Sequence, residues 1–160
     1  WREELAELNH EALLAKLQSP EIRAKILSER SVIRSGPMQD LEQLMRMVFP
    51  LGEQPNYEPA YEDSIAGMAE VQGCEPLALM YDLLVANGGR ELFYQPLGGY
   101  QRYSLDAQKK LLEHPNVLFG LSDGGAHCGV IADAGMPTFI MTNWGRDRTR
   151  GDKLSLDHGL

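Results

Sequence analysis

Residues 117–127 run Val-Leu-Phe-Gly-Leu-Ser-Asp-Gly-Gly-Ala-His: an apolar stretch delivers Ser122 and Asp123 directly onto two glycines and a histidine. A continuous apolar run without polar alternation is how a parallel strand covered on both faces reads. In parallel α/β folds, functional side chains collect on the loops at the carboxyl ends of such strands. A carboxylate at that position is half desolvated, which costs free energy unless a cation, a metal or hydrogen-bond donors satisfy it. Gly124 and Gly125 let the backbone bend sharply and approach a ligand, and His127 and Cys128 add two further donor atoms. The same spacing also suits an Asp123 that caps the following turn and a His127 that simply hydrogen-bonds within a loop. Cys128 has no basic partner at motif spacing and reads as a small packing residue.

The elements that would hold this stretch change in period along the chain. Leu5, Leu8, Ala12 and Ala15 recur as one helix face would. Ser19-Pro20-Glu21 is a helix start, with Ile22, Ile26 and Leu27 as the stripe that follows. Gly36-Pro37 resets the chain, and Leu41, Leu44, Met45 and Val48 form another stripe that Phe49-Pro50-Leu51-Gly52 ends. Residues 50–60, with Pro50, Pro55 and Pro59, form an irregular connection. Two helices follow. One runs from Tyr61 to Gln72 with Gly73 as its stop; the other starts at Pro76, shows Leu77, Met80 and Leu84 on one side and closes at Asn87-Gly88-Gly89.

Beyond that point Glu91–Gln95 is short, aromatic and bounded by turn residues, which favours a strand. Ser104 caps a helix through Leu105, Leu111 and Leu112 that His114-Pro115 stops, and Val117–Leu121 is the next strand. Strand, helix and strand make one parallel βαβ unit. Pro137 opens a last helix through Phe139, Ile140 and Met141. Trp1 in place of Met at the start, and a helix start at Ser155 with little chain after it, suggest a piece of a longer polypeptide; a trimmed chain is the alternative.

Composition bounds the partners. At 160 residues the chain is the size of one domain, and its formal charge of -8 argues against nucleic acid or an anionic membrane surface. No apolar run approaches the ~20 residues of a membrane span. Two cysteines, Cys74 and Cys128, make no disulfide framework, so a reducing, cytoplasmic setting is expected.

Ser122–His127, followed by Asp133, Met136-Pro137-Thr138-Phe139, Trp144 and Arg146-Asp147-Arg148, resembles the C-terminal part of the metal-dependent amidohydrolases, in the N-acyl-D-amino-acid deacylase branch. Trp1-Arg2, Pro20–Arg23, Leu79–Leu84 and Leu112–Val117 fit the same branch, so the likeness covers nearly the whole chain. The resemblance implies an α/β fold: part of a (β/α)8 (TIM-type) barrel, helix-rich, with residues 1–90 a helical segment and 91–160 the barrel portion carrying the strand-8 aspartate. It implies that Asp123 is the catalytic acid/base, taking a proton from an attacking water and giving one to the departing amine. It also implies that Asp123 touches a divalent metal, zinc being the expected ion.

The substrate would be a small N-acylated amino acid, with His127, Arg146, Arg148 and Tyr100 as candidate substrate-binding residues. Two departures stand out. None of His10, His114, His127 and His158 forms the His-x-His pair of that family, so most metal ligands must lie outside these residues. The branch's Pro-His-Pro-Arg stretch is replaced by Cys128–Asp133 without an arginine, leaving Arg146, Arg148 and Arg150 as the nearby cations; the alternative is that these sit solvated at a helix end. On this ligand count the residues by themselves should lack activity, and self-association through unpaired strand edges is expected. The competing reading is a non-catalytic helical interaction domain, or a remnant, built on the same ancestral segment.

Overall fold

The helical first half is organised by local capping. The structure is a computed structural model that describes residues 5–29, 41–96, 98–100, 102–120 and 133–155. Asn9 accepts a hydrogen bond from the Ala12 amide at 2.9 Å and starts helix α1, His10–Leu17. The stripe expected to join Leu5 and Leu8 to Ala12 is therefore interrupted, because the Asn9 side chain gives the backbone a cap where the periodicity asked for continuation. Ser19 caps α2, Pro20–Ser28, as the sequence predicts, its hydroxyl accepting from the Ile22 amide at 3.3 Å. Helix α3 is Leu41–Met45 and leads into the two-residue strand β1, Phe49–Pro50.

A 3-10 turn, Tyr61–Asp63, precedes α4, Ile65–Gln72. Ser64 caps α4 by accepting from the Gly67 amide at 3.0 Å, and Gly73 stops it in the left-handed conformation at φ 65°. Pro76 opens α5, Pro76–Val85. The buried face of α5 is not the one the spacing suggested. Leu79 and Tyr81 are buried and Met80 and Leu83 half-buried, while Leu77 and Leu84 are exposed. Seven of the ten residues in this helix are apolar (PLALMYDLLV, with tyrosine aside), so the pattern could not choose a side.

Strand β2, Phe93–Tyr94, falls within the predicted Glu91–Gln95 strand, but its partner differs from expectation. It pairs antiparallel with β1, Phe49 opposite Tyr94 and Pro50 opposite Phe93. The Leu51 amide adds a bond to the Leu92 carbonyl at 2.9 Å. Residues 117–120 are not a strand: Val117 and Leu118 are exposed, Leu118 at 91%, and only Phe119 turns inward. The expected parallel βαβ unit is thus replaced, among the described residues, by one antiparallel pair in a helix-rich α/β chain.

The chain divides into two compact units, Trp1–Leu97 and Gly98–Leu160. The first is built on Met45, Val48, Ile65 and Ala66, with Leu44, Tyr61, Met80, Leu83 and Phe93 against them. The α1–α2 pair is tied to α5 by polar contacts. Tyr81 donates its hydroxyl to the Leu17 carbonyl at 2.6 Å, and Arg23 grips Asp82 through two bonds of 2.7 and 2.8 Å.

In the second unit, α6 spans Asp106–Leu112, with the Ser104 hydroxyl accepting from the Asp106 amide at 3.1 Å. A 3-10 turn, Asp133–Gly135, leads into α7, Met136–Phe139, which widens into a π-helical segment, Ile140–Asp147. The Arg148 amide closes that segment on the Asn143 carbonyl at 2.7 Å, five residues back. Ile140, Trp144 and Leu154 form the core here, joined by Leu105, Leu112, Phe119, Met136 and Phe139. Burying side chains of this size contributes about 1.5–3 kcal/mol each. No helix among the described residues is long and apolar enough to cross a membrane.

Candidate functional site

The strand-end motif itself, Ser122 to Cys128 with Asp123 and His127, lies outside the described residues, as do Gly36-Pro37 and the helix expected after Ser155. What the structure places is the segment that follows the motif in sequence, together with Tyr100. The three arginines expected to supply charge have different surroundings.

Arg148 is a buried side chain, 1% exposed, although it sits in a run of charged residues. Its Nη2 donates to Asp106 Oδ1 at 2.7 Å, its Nη1 to the Asp152 carbonyl at 2.7 Å, and its guanidinium stacks on the Trp144 ring at 5.1 Å from the centroid. The hydrogen bond from Arg148, then that from Ser104, holds the Asp106 carboxyl below its ordinary range. A guanidinium committed to a carboxylate, a carbonyl and an indole organises the loop around it. To meet a ligand it would have to abandon those partners.

Arg146 is the opposite case. It is 73% exposed and holds the neighbouring Asp147 through parallel bonds of 2.6 and 2.8 Å. The Arg146 guanidinium holds the Asp147 carboxyl low, with Lys153 adding a smaller electrostatic pull. Lys153 donates its ammonium to the Arg146 carbonyl, so a second cation stands at the same edge. Arg150 is exposed.

Tyr100 is a buried ring, 1% exposed, with Tyr103 set edge-on to it at 6.3 Å. Tyr103 adopts a left-handed φ of 53°, which places that turn under strain for a non-glycine residue. The candidate substrate-contacting tyrosine is therefore a core residue of its unit.

Of the predicted site residues, the structure brings Arg146 and Arg148 near one another in sequence but into separate roles. Sequence reasoning missed Asp106, the partner of buried Arg148, and Lys153, which bonds the main chain of Arg146. The one available signal was Asp106 in the first turn of α6, where an acid is favoured by the helix dipole. Among the described residues, no group of three or more His, Cys, Asp or Glu side chains is placed to hold a metal ion. His10 Nε2 instead meets the Gly88 carbonyl at 2.9 Å, and His114 Nδ1 accepts from the Asn116 amide at 3.2 Å. Asp123, the residue of this chain expected to touch the metal, lies outside the described residues. The first unit also carries an open groove of about 830 Å³ between α3, α4 and α5, walled by Met45, Ala66, Ala69 and Leu77 with Arg46 and Glu70 at its edge. Compared with protein-family models, with curated proteins and with solved structures, the chain matches none.

Proposed function

We propose that these residues are the C-terminal part of a metal-dependent hydrolase that cleaves the amide C–N bond of an N-acylated amino acid. Asp123 is its proton-transferring carboxylate. The observation that carries this reading is the Ser122–His127 motif with its Met136–Phe139, Trp144 and Arg146–Arg148 sequel. A carboxylate in that motif would take a proton from an attacking water and return one to the departing nitrogen.

A divalent metal, when bound, would supply the activation of that water, and its ligands would have to come from residues other than the described ones. Arg148, expected to meet the substrate, is buried against Asp106 and Trp144, which leaves Arg146 and Arg150 as the exposed arginines of this segment.

The test is release of free amine from a panel of N-acyl amino acids by the protein expressed from the complete reading frame. Hydrolysis that a chelator abolishes supports the reading; a frame that encodes neither a His-x-His pair nor a bridging ligand upstream sinks it. In that second outcome the interaction-domain reading takes over, with the open groove of the first unit as the surface to examine.

A further inference from the structure

We propose that the cleft beside the π-helical segment is a binding site for a small monocarboxylate with a short apolar chain. The cleft has a volume of about 520 Å³, within the range of small-molecule sites, and its walls are Met141, Thr142, Gly145, Arg146 and Lys153. Helical segments with i→i+5 bonding are rare and concentrate at functional sites. The one here, Ile140–Asp147, forms one side of the cleft with four of its residues.

The chemistry of recognition is already displayed by the chain itself. Arg146 presents its guanidinium fork to the Asp147 carboxylate in the two-bond geometry that planar anions take. Both partners are exposed, 73% and 51%, and such a neighbouring pair is weak enough to exchange with another carboxylate. Lys153, also exposed, brings its ammonium to the main chain of Arg146. Arg146 and Lys153 are the two cations of the walls, and the single guanidinium fork among them fits one carboxylate. Thr142 spends its hydroxyl hydrogen on the Thr138 carbonyl at 2.9 Å, so it is not a donor to the ligand. Met141, 47% exposed, offers the apolar wall for a short chain. The cleft shares Arg146 with the substrate contact of the hydrolase reading and so rests on it in part, but it requires neither Asp123 nor a metal, so binding to it is measured apart from hydrolysis.

The experiment follows the amide resonances of the isotope-labelled 160-residue chain during titration with butyrate, with butyramide as the neutral isostere at matched ionic strength. Butyrate is expected to shift Thr142, Gly145 and Lys153 saturably, and butyramide is not. Arg146→Gln and Lys153→Gln should each weaken binding by about tenfold. Asp147→Asn should tighten it by removing the resident competitor, and Arg146→Lys, which keeps the charge without the fork, should fall between wild type and Arg146→Gln. Equal shifts from butyramide, unchanged affinity in Arg146→Gln, or no saturable shift up to about 50 mM butyrate would overturn the proposal.

Discussion

The Arg148 guanidinium meets the Asp106 carboxylate at 2.7 Å across 42 positions of sequence, with the arginine 1% and the aspartate 64% exposed. One end of this pair is in the core of the second unit and the other is in water. The arginine has been desolvated and needs its partners, whereas the aspartate could be hydrated without them. Removal of the two residues should therefore not be equivalent.

Arg148→Ala loses the bond to the Asp152 carbonyl and the stacking on Trp144, and should destabilise the second unit by about 2–3 kcal/mol. For a unit of that size this is a fall in Tm on the order of 10 °C. Asp106→Asn keeps an acceptor oxygen and should cost less. Thermal unfolding followed by Trp144 fluorescence checks the order, and an Arg148→Ala protein with an unchanged Tm would show that the guanidinium is not a structural partner.

A glycine comparison tests the α4 packing. A Cβ at Gly67 would meet the Tyr61 carbonyl oxygen and approach the Glu62 Cα to 2.8 Å, both of them backbone atoms that cannot swing aside. At Gly73 nothing lies within 4 Å, but φ is +65°. Gly67→Ala should cost about 1–3 kcal/mol by overpacking, and Gly73→Ala about 1 kcal/mol by left-handed strain. Urea midpoints of the two variants should differ in that order; the reverse order would contradict the packing of Gly67 under the 3-10 turn.

The acid limb of stability should carry the Arg23–Asp82 pair. The hydrogen bond from Arg23, opposed by partial burial, holds the Asp82 carboxyl below its ordinary value of 3.8. A folded-state pKa below the unfolded one gives stability that is present above the unfolded value and lost as pH falls through the folded one. Wild type should therefore lose more stability between pH 5 and pH 2.5 than Asp82→Asn does, measured by urea unfolding at each pH. Identical slopes would mean that the pair contributes nothing in solution.

Ligand count sets a further expectation. The 160 residues by themselves should hold no zinc tightly, since their four histidines form no His-x-His pair and a zinc centre takes three or four protein ligands. Elemental analysis after dialysis tests this, and one retained zinc per chain would contradict it.

Much of the helical half was legible because its signals are local. Ser19 with Pro20, Gly73 and Pro76 act within one turn of themselves, and each sits where its chemistry requires. The β1–β2 pair was not legible. Pro50 and Phe93 are joined by no local rule, and a proline in a run ordinarily argues against a strand. The 117–120 run misled because three apolar residues and a glycine suggest burial without specifying a partner, and the chain turned only Phe119 inward. For the site, residue type identified Arg146 and Arg148 as candidates, but only the distant Asp106 and the adjacent Asp147 separate a core arginine from an exchangeable one.

The most direct test of the central claim is the hydrolysis rate of the full reading-frame protein carrying Asp123→Asn, beside Cys128→Ala. The account predicts a fall in kcat of about 10²–10⁴-fold for the first, the usual contribution of a positioned acid/base, and near wild-type turnover for the second. Wild-type turnover in Asp123→Asn, or its collapse in Cys128→Ala alone, would contradict it.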